Sequence, residues 1–249
     1  MISIEELKEV KEKRKTNLYY EEKEYIQYIF LNSISKYPEE FVFKGGTCLR
    51  ICFGLERASE DLDFSINIPL DKAKKIIKQC LKDFEYLNIE YKIYSEKEFK
   101  GNLRLEIRFN GPIYTGNKNS SNTLKIDLNK QKSKNTEARV VQKLFSDIPL
   151  FTINVLAEKE ILAEKIRALI NRSEPRDFYD LWVLFNKNVE INKPLIKEKL
   201  KEEKSRFSKI KYPSKQEYET SLKNLVNFLP SYEQVLKEVS DRLNNLLTN

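Results

Sequence analysis

The passage from Phe41 to Ile66 constrains the fold of this chain most, because an apolar run, a double glycine and an alternating acidic run follow one another in it. Phe41-Val42-Phe43 reads as a short buried strand that stops at Gly45-Gly46, where the backbone is free to turn sharply. Thr47 to Phe53 then suits a short helix. From Asp61 to Ile66 the residues alternate, so that Asp61, Asp63 and Ser65 leave one face of a strand and Leu62, Phe64 and Ile66 the other. Two carboxylates on one face crowd each other, and a cation with a taste for hard oxygen ligands, Mg²⁺ or Mn²⁺, relieves the crowding. An isolated Asp-x-Asp is usually an ordinary edge-strand pair; the order of the parts is what changes the reading. A Gly-Gly turn at a helix start lets backbone approach a phosphate, and the helix N-terminus adds N–H donors and a favourable dipole. Lys44 and Thr47 flank the turn with a charge and a hydroxyl. The pattern is not a P-loop, since no Gly-x-x-x-x-Gly-Lys-Ser/Thr is present.

A third carboxylate stands in Leu124-Lys125-Ile126-Asp127-Leu128, where alternation puts Asp127 on the polar face of a half-buried strand. Three acids could hold two metals for an in-line phosphoryl displacement. Glu106 competes for this role, but Arg104 and Arg108 flank it and are expected to pair with it. Further along, Lys165 interrupts an apolar helical stripe of Ile161, Leu162 and Leu169, and Asp177 shares a face with Leu181 and Leu184 just after Pro175. Each has a bland reading. Lys165 could snorkel at the edge of a core or, as a nucleotide-binding residue, reach into a cleft towards phosphates, and Asp177 could be a first-turn carboxylate favoured by the helix dipole.

Around these residues the chain reads as mixed α/β in its first part and helical in its second. Ser3-Ile4-Glu5-Glu6 and Ser214-Lys215-Gln216-Glu217 have the form of capping boxes. Ile26, Ile29, Phe30 and Ile34 share one helix face, a helix is expected over 71–84, and strands over 89–94, 103–109 and 124–128. From Val155 onward helical patterns dominate, ending in a stripe of Val235, Leu236, Val239, Leu243 and Leu246. The expected division is therefore 1–150 and 151–249.

With no histidine in 249 residues, His-based triads and His-ligated zinc sites are excluded, so chemistry must rest on carboxylates, lysines or metals. Three cysteines match neither a disulfide framework nor a zinc spacing, and no apolar run reaches bilayer length. A reduced, cytoplasmic setting with no membrane is expected. The net charge of +7 favours a polyanionic partner such as RNA, though it is weak alone.

Lys44-Gly45-Gly46-Thr47 followed by Arg57-Ala58-Ser59-Glu60-Asp61-Leu62-Asp63 resembles the AbiEii/AbiGii-type nucleotidyltransferase toxins, which include the MenT toxins, within the polymerase-beta-like superfamily. Leu162-Ala163-Glu164-Lys165-Ile166-Arg167-Ala168-Leu169, with Arg172 and Arg176-Asp177-Phe178-Tyr179-Asp180-Leu181, is similar to that family's second block. The resemblance implies a mixed-sheet nucleotidyltransferase domain followed by a helical domain, with the site in the cleft between them. It further implies metal at Asp61 and Asp63, triphosphate at Ser59 and the Gly45-Gly46-Thr47 turn, and completion of the site by Lys165 and Asp177. Asp127 follows from the superfamily's third carboxylate on a later strand. Such proteins are toxins of type IV toxin–antitoxin or abortive-infection (phage-defence) systems, and some transfer nucleotides to the 3′ end of tRNA. An NTP substrate, a tRNA acceptor and a cognate antitoxin are thus expected. Lys72, Lys74, Lys75 and Lys78 on one helix and Lys130, Lys132 and Lys134 in a loop are candidate phosphate contacts. The rival readings are a small-molecule or protein-hydroxyl acceptor, or a catalytically silent RNA-binding module.

Overall fold

A computed structural model of the chain describes residues 1–130, 133–207 and 210–248, with side chains as far as residue 246. Two compact units emerge: Met1–Gly54 with Ala58–Leu156, and Leu55–Arg57 with Ala157–Asn249.

The first unit is built on a mixed seven-stranded sheet in the order β3-β4-β5-β2-β1-β7-β6. Its strands are β1 (Phe41–Lys44), β2 (Asp61–Ile66), β3 (Glu90–Phe99), β4 (Asn102–Asn110), β5 (Asn122–Asn129), β6 (Thr136–Val141) and β7 (Phe151–Leu156). β2 is antiparallel to β1 and parallel to β5, while β1 and β7 run parallel. The expected mixed α/β architecture is therefore what the chain adopts. Alternation explains the inner face: Leu62, Phe64, Leu103, Leu105, Ile107, Leu124, Ile126 and Leu128 are all buried.

Helix α1 (Ile4–Arg14) is capped by Ser3, whose hydroxyl accepts from the Glu6 amide at 3.1 Å. The expected reciprocal bond is missing, because the Glu6 carboxylate instead accepts from the Ser146 amide at 2.9 Å and hydroxyl at 2.8 Å. Helix α2 (Leu18–Ile34) is buried far beyond the predicted apolar face. Glu22 accepts from the Ile113 amide and Asn122 side chain, Lys23 donates to the Thr123 carbonyl at 2.8 Å, and Glu24 binds Arg50 at 2.6 Å. Buried charges are tolerated only when paired in this way. Helix α3 (Gly45–Phe53) starts two residues earlier than expected, with the glycines inside its first turn. The helix expected over 71–84 divides into α4 (Leu70–Cys80) and α5 (Lys82–Tyr86) around the buried Leu81.

Two strands, β6 and β7, lie in stretches that the periodicity did not mark as strands. β7 follows residue 150, and the division between the units falls after Leu156. β7 joins β1 through Phe43↔Val155, a pairing across more than a hundred residues that local periodicity does not report.

The second unit comprises α6 (Glu158–Arg172), α7 (Pro175–Asn186), α8 (Lys193–Glu202), α9 (Lys215–Leu222) and α10 (Tyr232–Thr248). Phe178 packs against Tyr212, Tyr218 and Tyr232 with ring centroids 5.6, 6.1 and 6.2 Å away. Ser214 and Glu217 form the expected capping box at α9. Among the described residues no helix is long and apolar enough to cross a membrane.

Candidate active site

β2 and β5 lie side by side in parallel, with Asp61 opposite Lys125 and Asp63 opposite Asp127. The three carboxylates singled out by alternation therefore share one face of the sheet. On the other side of β2, Lys44 of β1 is opposite Asp63, so a cation and the start of α3 adjoin the acids.

Gly45 is required here twice over. Its φ is +81°, and a Cβ at this position would stand 2.2 Å from Asp63 Oδ2. The first turn of α3 thus abuts the acidic strand, and Lys44, at the N-cap, provides no side-chain cap for its amides.

Thr47 is fully buried; its hydroxyl donates to the Asp61 carbonyl at 2.5 Å and shares a 2.9 Å hydrogen bond with the Ser59 hydroxyl. The pair ties α3 to the entry of β2. Gln27 of α2 adds a restraint that patterning missed, donating to the Ser59 and Glu60 carbonyls at 3.1 and 3.0 Å. A glutamine on an apolar helix stripe was the available signal.

Asp61 is electrostatically uncomfortable. Burial raises its pKa, the Asp127 and Glu60 carboxylates push the same way, and Lys125 opposes them. Its Oδ1 is buried without a hydrogen-bond partner. Leaving such an acceptor unsatisfied costs about 1–3 kcal/mol, which a bound cation would relieve. Hard oxygen donors on Asp61 and Asp63, one of them an orphaned buried atom, fit Mg²⁺ or Mn²⁺.

Asp127 is held differently, by Arg104 of β4, whose Nε and Nη2 donate to its two oxygens at 2.7 and 2.9 Å. Arg104 thus does not pair with Glu106, as strand order suggested. Asp127 is its direct cross-strand neighbour, whereas Glu106 lies two residues along the same strand and opposite Lys125. Arg108 stacks on Tyr94 instead. Among the described residues no three acidic or thiol groups converge as a ready-made metal cluster. Arg104 thus competes with a cation at Asp61 and Asp63 for the Asp127 carboxylate.

Lys165 and Asp177 sit in a buried network of the helical unit. Lys165 Nζ is 2.8 Å from Asp177 and 2.6 Å from Asp180; Arg57 grips Asp180 at 2.6 and 2.7 Å, and Arg172 binds Asp177 at 2.7 Å. Burial works to raise the Asp177 pKa, but Lys165 and Arg172 outweigh it and hold the carboxyl down to about 2. Burial likewise works against the Asp180 carboxylate and is overcome by Arg57 and Lys165, which lower its pKa. Arg57 and Asp180 stand one in each of the two sequence blocks, and their pairing is a contact that neither block signals alone.

The profile described as "Nucleotidyl transferase AbiEii toxin, Type IV TA system" matches residues 29–244. The chain belongs to the AbiEii nucleotidyltransferase toxin family. Both sequence blocks fall inside that match. Membership makes it a transferase of a toxin–antitoxin class, which implies a nucleoside triphosphate donor and an antitoxin partner. Among solved structures, the fold is similar to that of MenT4, a nucleotidyltransferase toxin from Mycobacterium tuberculosis H37Rv, with TM-score 0.74 and 19% identity over 97% of this chain and 89% of that one. JHP933 from Helicobacter pylori matches with TM-score 0.60 and 21% identity over 93% of each chain. No curated protein matches in sequence.

Of the lysines expected to meet phosphate, Lys72, Lys75, Lys78, Lys130 and Lys134 of this AbiEii-family chain are exposed. Lys74 is engaged by Glu96 at 2.7 Å and by Glu98. Lys132 lies outside the described residues.

Proposed function

We propose that this AbiEii-family protein is a divalent-metal-dependent toxin that transfers a nucleotide from an NTP to the 3′ end of an RNA, with tRNA the expected acceptor. The observation that carries the reading is the trio Asp61, Asp63 and Asp127 on adjacent strands beside the glycine-opened start of α3, with Asp61 Oδ1 buried and unpartnered.

In this reading Asp61 and Asp63 hold the metal, and Asp127 joins them once Arg104 lets go. Bound Mg²⁺ or Mn²⁺ would supply charge neutralisation at the reacting phosphate. The α3 amides and Lys44 orient the triphosphate through N–H donors and charge, while Thr47 and Ser59 hold the turn against β2. The RNA 3′-oxygen bonds to the α-phosphorus, the bond to pyrophosphate breaks, and an aspartate carboxylate takes the hydroxyl proton, since no histidine is available. Lys165 and Asp177 belong to the proposed machinery by family resemblance. Their pairing would hold both side chains in one fixed geometry. A cytoplasmic location, a phage-defence role and neutralisation by a cognate antitoxin accompany this reading.

The test is incubation with each α-labelled triphosphate and either total tRNA, protein or small hydroxylated acceptors. Metal-dependent label on RNA 3′ ends, abolished by Asp61→Ala in a protein that is no less thermally stable than the wild type without divalent metal, is the expected result. Label confined to a non-RNA acceptor, or unchanged transfer by the variant, would overturn it.

A further inference from the structure

The carboxylate face of the sheet continues outward onto β4 and the edge strand β3, and its chemistry changes there. One row of paired residues crosses five strands: Lys44, Asp63, Asp127, Arg104, Lys97. The acids occupy the middle, and two cations lie on the outer side. The edge strand sorts its charges by face: Glu96 and Glu98 are bound by Lys74, whereas Lys97 lies on the Arg104 face. Lys92 and Arg108 are paired further along that face. The acids it also carries are engaged there or opposed by a cation: Glu90 binds Asn110 at 2.9 Å, and Glu106 lies opposite Lys125.

Two aromatic rings stand on the same face, exposed. Tyr94 is the extra residue of a β-bulge, is 57% exposed, and carries the Arg108 guanidinium 3.7 Å from its ring centroid. Phe99, two residues beyond Lys97, is 68% exposed, with Lys100 Nζ 5.1 Å from its ring. The charges of β3 have a structural explanation, since a charged, bulged edge resists pairing with another chain. Exposed aromatic rings work against that protection and require another reason.

Rings with an adjacent guanidinium or ammonium, set in a basic strip, are what single-stranded nucleic acid recognises: bases stack on the rings and the cations follow the phosphates. Two strand spacings of about 4.8 Å separate the Lys97 position from Asp127. The rings therefore lie a few nucleotides, not one, from the reacting carboxylates.

We infer that Tyr94 and Phe99, with Arg108, Lys97 and Lys100, form a base-stacking platform that holds the unpaired segment behind the 3′ end of the acceptor RNA. This rests on the RNA-acceptor reading above and adds where the RNA is gripped.

The experiment measures binding of a fluorescein-labelled short single-stranded RNA to the full chain without NTP or divalent metal, and separately KM for RNA and for NTP. Tyr94→Ala and Phe99→Ala should each weaken single-strand binding and raise the RNA KM by about tenfold, with KM for NTP unchanged. Tyr94→Phe and Phe99→Tyr, which keep a ring, should restore both, and thermal melting should be alike in all four because both positions are exposed. Alanine variants that bind RNA as the wild type does, ring-keeping variants that fail to rescue, or an equal loss of blunt duplex binding would each overturn the platform. If the alanine variants leave RNA labelling intact, the platform alone falls. If the wild-type protein neither binds nor labels RNA, the acceptor reading falls with it.

Discussion

At the scale of single residues, Gly45 and Arg104 carry the sharpest consequences. Gly45→Ala forces a Cβ toward Asp63 Oδ2 at a backbone φ of +81° that L side chains rarely adopt. It should lower stability by about 1–3 kcal/mol and remove transfer activity, read by calorimetry and label transfer. Arg104→Gln should release Asp127, so the Mg²⁺ concentration for half-maximal rate should fall; an unchanged or higher value would mean that Asp127 takes no part in binding the ion. Asp61 supplies a signed prediction. Its folded pKa is raised above the unfolded value, first by burial, so its ionised form opposes folding, and that burden lifts as pH falls through the folded pKa. Asp61→Asn should therefore melt at a higher temperature than the wild type at neutral pH without divalent metal, while losing activity.

At the scale of elements, α6 and α7 are joined by charges rather than by apolar contact alone. Asp180→Ala would leave Arg57 and Lys165 buried near each other without that counterion, and should cost about 3–5 kcal/mol in chemical denaturation. Arg172→Ala removes a partner whose side chain is 60% exposed, and should cost no more than about 1 kcal/mol. Asp177 sets a pH window: with its pKa depressed to about 2, its contribution is complete above the ordinary aspartate range and fades as pH falls from about 4 through about 2. Lys165→Met should flatten stability over that window.

The elements were unequally legible. β2 announced itself through strict alternation, and α9 through a capping box that formed as written. β7 did not, although Phe151, Ile153 and Val155 alternate, because what makes it a strand is its pairing with β1 and β6. α2 read as an ordinary amphipathic helix, yet its glutamates are buried because Arg14, Arg50, Asn122 and the Ile113 amide come to them from elsewhere in the chain.

For the whole molecule, a cation bound at Asp61 and Asp63 should stabilise the folded state in proportion to its concentration, by about 2.7 kcal/mol at a hundredfold excess over Kd. Calorimetry with and without Mn²⁺ should show a rise in melting temperature that is much smaller in Asp61→Asn. The net charge of +7 predicts that RNA affinity falls steeply as salt rises.

By itself the sequence determined the local geometry of the candidate site: the glycine-opened turn, and Asp61 and Asp63 on one face of a strand. These follow from backbone sterics and the two-residue period, which act between neighbours in the chain. It also carried both family blocks. Only the tertiary structure decided that Asp127 stands beside Asp63, that Arg104 holds it, that Arg57 joins Asp180, and that Tyr94 and Phe99 remain uncovered. The placements on the sheet depend on which distant strands pair and in what register, which collective packing sets rather than any residue's own preference, and the Arg57–Asp180 pair depends on residues 55–57 meeting a helix more than a hundred residues away.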